Sequence, residues 1–77
     1  LRHNMNYDLD TEEGMTNAIE WTTNAMALLK FGGCWIVPRS GTVVTRVDEQ
    51  HVHVREFIPD PSIKRVLVAA GYIVSTT

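Results

Sequence analysis

The chain has 77 residues, 44% of them hydrophobic and 21% charged, which fits one small domain and excludes a wholly disordered chain. Its formal net charge is −2, from 7 Lys+Arg against 9 Asp+Glu, so it lacks the basic excess of a dedicated DNA binder and is too weakly acidic to mimic a phosphate array. One cysteine leaves no partner for an intrachain disulfide, which fits a reducing compartment.

No apolar run is long enough to span a bilayer, and the amino terminus lacks the basic-then-apolar pattern of a signal peptide. The expected location is therefore cytoplasmic. Met5 reads as the natural start, preceded by Leu1-Arg2-His3-Asn4. Residues 1–9 are polar and irregular and read as a flexible segment, leaving residues 10–77 as a single domain.

Asp10-Thr11-Glu12-Glu13 signals a helix start: Asp10 or Thr11 can cap the free amides, and the glutamates suit the positive end of the helix dipole. Met15, Ala18, Ile19, Thr22, Ala25, Met26 and Leu29 form a stripe of period 3.6, which Trp21 and Leu28 widen. Gly14 is a weak spot in helix propensity. Phe31-Gly32-Gly33 is the expected stop.

A β-hairpin follows, with Pro38-Arg39-Ser40-Gly41 as its loop, proline in the first turn position and glycine in a left-handed last one. This loop pairs Val37 with Thr42, Ile36 with Val43, Trp35 with Val44 and Cys34 with Thr45. Asp48-Glu49-Gln50 makes a second turn. With Glu49-Gln50 at its centre, Val47 pairs with Val52, Arg46 with His53, Thr45 with Val54 and Val44 with Arg55. One sheet face then collects Cys34, Ile36, Val43, Thr45, Val47, Val52 and Val54, and is expected to be the core. The other collects Trp35, Val37, Thr42, Val44, Arg46, Asp48, His51, His53, Arg55 and Phe57.

Asp60 is expected to cap a second helix that has Pro61 at its first position. Ile63, Val66, Leu67 and Ala70 are its apolar stripe, with Lys64 and Arg65 on the wet side. Gly71 ends it, and Tyr72-Ile73-Val74-Ser75 can add a short edge strand. The expected fold is a small α+β domain of order α-β-β-β-α-β, an antiparallel sheet with both helices on one face.

No motif specifies catalysis. His51-x-His53 sets two imidazoles on one strand face, but no ligand spacing completes a structural zinc site. Cys34 reads as a small buried apolar residue rather than a nucleophile. Ser40 lacks the strand-to-helix elbow of a hydrolase, and Gly32-Gly33 precedes a strand where a phosphate loop needs a helix. Glu12, Glu13 and Glu20 read as dipole compensation and a solvated face. No cofactor or metal is expected.

The second sheet face carries the functional expectation. Its mixture of aromatic and arginine side chains has the composition of an interaction hot spot. Trp35, Arg39, Arg46, His53 and Arg55 are the expected partner-binding residues, with Trp35 as the desolvated anchor and the arginines pairing with carboxylates. Burial of the same face by the chain itself, or by a second copy, is the competing reading.

The run Gly33-Cys34-Trp35-Ile36-Val37-Pro38-Arg39-Ser40-Gly41-Thr42 resembles a stretch in small accessory proteins of tailed bacteriophages. The resemblance covers this run alone and carries over no functional residues. It implies a non-enzymatic protein that binds a host protein in the host cytoplasm and modulates or inhibits it. A nucleic-acid-binding domain and a homodimeric structural protein are the alternatives.

Overall fold

The computed structural model describes residues 5–77. Its elements are α1 (Glu12–Ala27), β1 (Cys34–Ile36), β2 (Val43–Arg46), β3 (His51–Arg55), α2 (Pro61–Ala69) and β4 (Ile73–Thr76), in the expected α-β-β-β-α-β order. The strands form one sheet in the spatial order β1-β2-β3-β4. Residues 1–4, part of the expected flexible segment, lie outside the described residues.

Thr11 is the residue that caps α1, its hydroxyl accepting the Gly14 amide at 3.0 Å. Gly14 is buried for a reason that helix propensity does not express. A Cβ there would sit 1.9 Å from the Asp8 carbonyl oxygen, so the absence of a side chain lets the preceding segment lie against the first turn. Asn6 holds that segment from both sides: its side chain donates to Thr11 Oγ1, and its carbonyl accepts from Asn17 Nδ2. The stripe of α1 is buried as its period requires, through Ala18, Thr22 and Met26. Leu28 does not widen it, being 87% exposed.

The helix ends at Ala27, short of the expected stop at Phe31-Gly32-Gly33. Arg46, arriving from β2, donates from Nη1 to the carbonyls of Met26 (3.3 Å) and Leu29 (2.8 Å) and lies 5.0 Å from the Phe31 ring centroid. The last turn of α1 carries no basic residue of its own. Arg46 thus supplies both the donors and the positive charge that a helix C-terminus attracts.

The β1–β2 hairpin has the expected register, Cys34 with Thr45, Trp35 with Val44 and Ile36 with Val43. Gly41 has φ +72°, the left-handed value the loop demands, and its amide and that of Ser40 both donate to the Val37 carbonyl.

The second turn differs from expectation. Val47 donates to the His51 carbonyl at 2.9 Å, so the loop is the three residues Asp48, Glu49 and Gln50 rather than two. Asp48 Oδ1 accepts the amides of both Gln50 (2.9 Å) and His51 (2.8 Å), an Asx turn that takes up one more residue. The β2–β3 register moves by one: Val44 pairs with Val54, Thr45 with His53 and Arg46 with Val52. Because side chains alternate, this slip turns β3 over relative to the hairpin.

Trp35, Val44, Arg46, Val52 and Val54 now share a face, and that face is the core. Val44, Val52 and Val54 are fully buried with Met26 of α1 and Leu67 of α2, and Leu29, Trp35, Ile63, Tyr72 and Val74 pack around them. The expected inner face, Cys34, Ile36, Val43, Thr45 and Val47, is the outer one. Burying the outer set would have taken His53 and Arg55 out of water with it. The observed choice buries one cation, Arg46, for which α1 provides carbonyl acceptors.

The sheet is mixed rather than antiparallel. β4 runs parallel to β3, with His51 beside Ile73 and Val52 beside Val74. The nine residues of α2 span about 13 Å and the five of β3 about 16 Å, so the helix returns the chain to the start of β3, and a strand begun there must run the same way. Asp60 stands at the N-cap of α2 but makes no capping bond. Its Oδ2 instead accepts the hydroxyls of Ser40 (2.8 Å) and Thr42 (3.3 Å), tying the hairpin loop to the start of the helix.

One consequence runs against helix propensity. Gly14→Ala gains about 1 kcal/mol in intrinsic propensity, yet it is expected to lower the melting temperature and to raise amide exchange over residues 5–9. Thermal denaturation and hydrogen exchange read the two effects, and a stabilised variant with unchanged exchange would refute the close packing.

Candidate protein-interaction surfaces

The register divides the five expected contact residues. Trp35 and Arg46 belong to the interior. Trp35 is half-buried, its Nε1 donates to Met26 Sδ at 3.2 Å, and its ring meets that of Trp21 edge-on at 5.5 Å. Arg46 is engaged by α1, as described. His53 and Arg55 share the outer face of the sheet, and Arg39 stands apart in the hairpin loop. The expected single face does not exist: the face that holds Trp35 and Arg46 is covered by the helices.

The outer face is built in rows across the strands. Cys34, Thr45, His53 and Ser75 form the middle row. Cys34 is exposed, contrary to its expected burial, and lies on the same face as His53. His53 Nδ1 is 2.8 Å from Ser75 Oγ, and its Nε2 meets Thr77 Oγ1, so the ring is held flat along the β4 edge. Ile36, Val43 and Arg55 form the row at one end, and the Arg55 guanidinium lies 5.2 Å from the Phe57 ring centroid. Val47, His51 and Ile73 form the row at the other.

Both helices pack on the opposite face. Ile36 is 60% exposed, Ile73 54% and Val47 50%, so apolar side chains stand in solvent at both ends of the outer face. Period-two alternation groups Ile36 and Val47 on one face, expected to be the core; it is uncovered because the helices lie on the other side.

Charge on this face is anchored locally. The amides of Gln50 and His51 and the His51 ring hold the Asp48 carboxyl at about 2, below its ordinary 3.8. His51 Nδ1 lies 2.8 Å from Asp48 Oδ1. Next to α2, the Lys64 ammonium 2.7 Å from Glu56, helped by the Asp60 amide, holds the Glu56 carboxyl below its usual range.

A second feature lies on the helix side. Tyr7, Trp21, Val37, Arg39, Asp60 and Ile63 line a groove of about 420 Å³ between the amino-terminal segment, α1, the hairpin loop and the start of α2. Tyr7 and Trp21 escaped the sequence reading. Tyr7 lies in the segment that reads as irregular, and the period of α1 places Trp21 at the margin of its buried stripe. It is half exposed, and its ring edge rests on Trp35. Among the described residues no three His, Cys, Asp or Glu side chains are placed to hold a metal, and no helix is long and apolar enough to cross a membrane.

Comparison with protein-family models, curated proteins and solved structures returns no match. The functional reading therefore rests on these surfaces.

The Asp48 turn makes a pH prediction. The folded carboxyl titrates below its unfolded value, so its contribution is present above 3.8 and lost as the pH falls toward about 2. Asp48→Ala is expected to be less stable than wild type at neutral pH, with the difference shrinking across that window. Urea denaturation at stepped pH measures it, and a gap constant down to the lower limit would refute the role of the turn.

Proposed function

We propose that the protein is a non-enzymatic interaction module that docks a protein partner through the outer face of its sheet. The observation that carries this reading is the uncovered apolar set Ile36, Val47 and Ile73, with Arg55, His53 and half-buried Val43 among it. An aliphatic surface interrupted by a few cationic and hydrogen-bonding groups suits a protein interface, where apolar burial supplies affinity and the polar groups set orientation. The resemblance of the Gly33–Thr42 run to phage accessory proteins makes a host protein the expected partner, with modulation of that protein as the outcome.

The same surface disfavours nucleic acid. Sheet-based binders of single strands stack bases on exposed aromatic rings of the strands. Here the strand aromatic, Trp35, points inward, the Phe57 ring carries the Arg55 guanidinium, and Arg55 is the one arginine of the outer rows. A second copy of the chain is the other protein that could meet an aliphatic face.

The test uses immobilised wild type, Ile36→Glu and Arg55→Glu, with captured proteins identified by mass spectrometry. Both sites are exposed, so the variants are expected to fold. A specific partner should bind wild type and lose about tenfold or more in affinity to Ile36→Glu. Equal capture by all three would remove the outer face from the interface. A light-scattering mass that rises to twice 8.7 kDa and is returned to the monomer by Ile36→Glu would make the partner a second copy.

A further inference from the structure

The groove on the helix side has features that the outer face does not share. Its volume of about 420 Å³ falls within the range of small-ligand and side-chain pockets, about 300–1,000 Å³. Trp21, Val37 and Ile63 give it apolar walls. Trp21 is also held in place: its ring meets Trp35 at 5.5 Å and an interplanar angle of 79°, and Trp35 is fixed by Met26 Sδ. An aromatic wall already fixed in position loses little freedom when a ligand packs on it.

Two opposite charges stand in the same groove, each without an ionic partner among the described residues. The ion pairs among the described residues are Asp48–His51, Glu56–Lys64 and Asp10–Arg65, and they include neither Arg39 nor Asp60. Arg39 and Asp60 are therefore more than 4.0 Å apart at their charged atoms and do not satisfy each other. Asp60 spends Oδ2 on the hydroxyls of Ser40 and Thr42, which fixes the carboxylate in place, while Oδ1 accepts no hydrogen bond among the described residues. Arg39 projects from the loop that those two bonds anchor.

We propose that this groove binds a linear segment of another protein in which a large apolar residue is flanked by one acidic and one basic residue. The apolar side chain lies against Trp21, Val37 and Ile63. The acidic side chain pairs with the Arg39 guanidinium, and the basic one donates to Asp60 Oδ1. A purely apolar occupant would desolvate two unpaired charges, and an anionic one would meet Asp60. The mixed charge of the occupant follows from the mixed charge of the groove. This site shares no residue with the outer face, so each can fail without the other.

The test is a titration of the ¹⁵N-labelled protein, following the Trp21 indole N–H. Four blocked tripeptides serve as probes, all with central phenylalanine: glutamate and lysine as flanks in either order, two glutamates, and two lysines. At least one mixed-charge peptide is expected to shift the Trp21 signal and to bind about two- to fivefold more tightly than both same-charge peptides, the contribution of an exposed ion pair. Arg39→Gln should erase the preference over the two-lysine peptide. Asp60→Asn keeps an acceptor for Ser40 and Thr42 and should erase the preference over the two-glutamate peptide. Equal affinity for all four peptides, no Trp21 shift at millimolar peptide, a preference over the two-lysine peptide that survives Arg39→Gln, or one over the two-glutamate peptide that survives Asp60→Asn would overturn the proposal.

Discussion

The pairing of Val44 with Val54, and with it Arg46 with Val52, decides which side of this sheet is interior. Alternation along a strand leaves two choices, and each hairpin passes its choice to the next strand. The three-residue Asp48 turn sets the second hairpin so that Val52 and Val54 join Trp35 and Val44. Four apolar side chains then face the helices together. A two-residue turn would have split them, two to each face, leaving Trp35 and Val44 beside Arg46, His53 and Arg55, and Val52 and Val54 beside Cys34, Ile36, Val43, Thr45 and Val47.

Arg46 is the one cation that arrangement draws inward, and the structure uses it. Its guanidinium closes the carbonyl end of α1, stops the helix before Phe31 and stacks on the Phe31 ring. The residue that composition marks as a contact candidate is thus a tertiary helix cap. Its buried Nε has no hydrogen-bond partner among the described residues, so the cap is made by Nη1 alone.

The two candidate surfaces follow from this layering. Two short helices cover one face of a four-stranded sheet and leave the other open. A groove remains between α1 and the start of α2, where Asp60 is drawn to the hairpin loop instead of capping its own helix. One surface is broad, aliphatic and weakly cationic. The other is narrow, aromatic and of both signs. The proposed partners differ accordingly, an apolar protein face in one case and a mixed-charge segment in the other.

The sequence by itself determined the element order, the start of α1 with Asp10 or Thr11 as its cap, the stripes of both helices, the position of Pro61 and the register of the first hairpin. All are local: a capping side chain, a period of 3.6, and a loop with Pro38 at one end and Gly41 at the other. It also brought forward His53, Arg55 and Arg39, which the fold leaves on its surface. Only the tertiary structure decided the rest. The length of the Asp48 turn depended on two side-chain hydrogen bonds that composition does not announce. The parallel direction of β4 depended on how far α2 carries the chain back. The inward turn of Trp35 and Arg46 depended on which face could be desolvated at least cost once both helices were in place. Period two sorts side chains into two sets, and it carries no information about which set meets water.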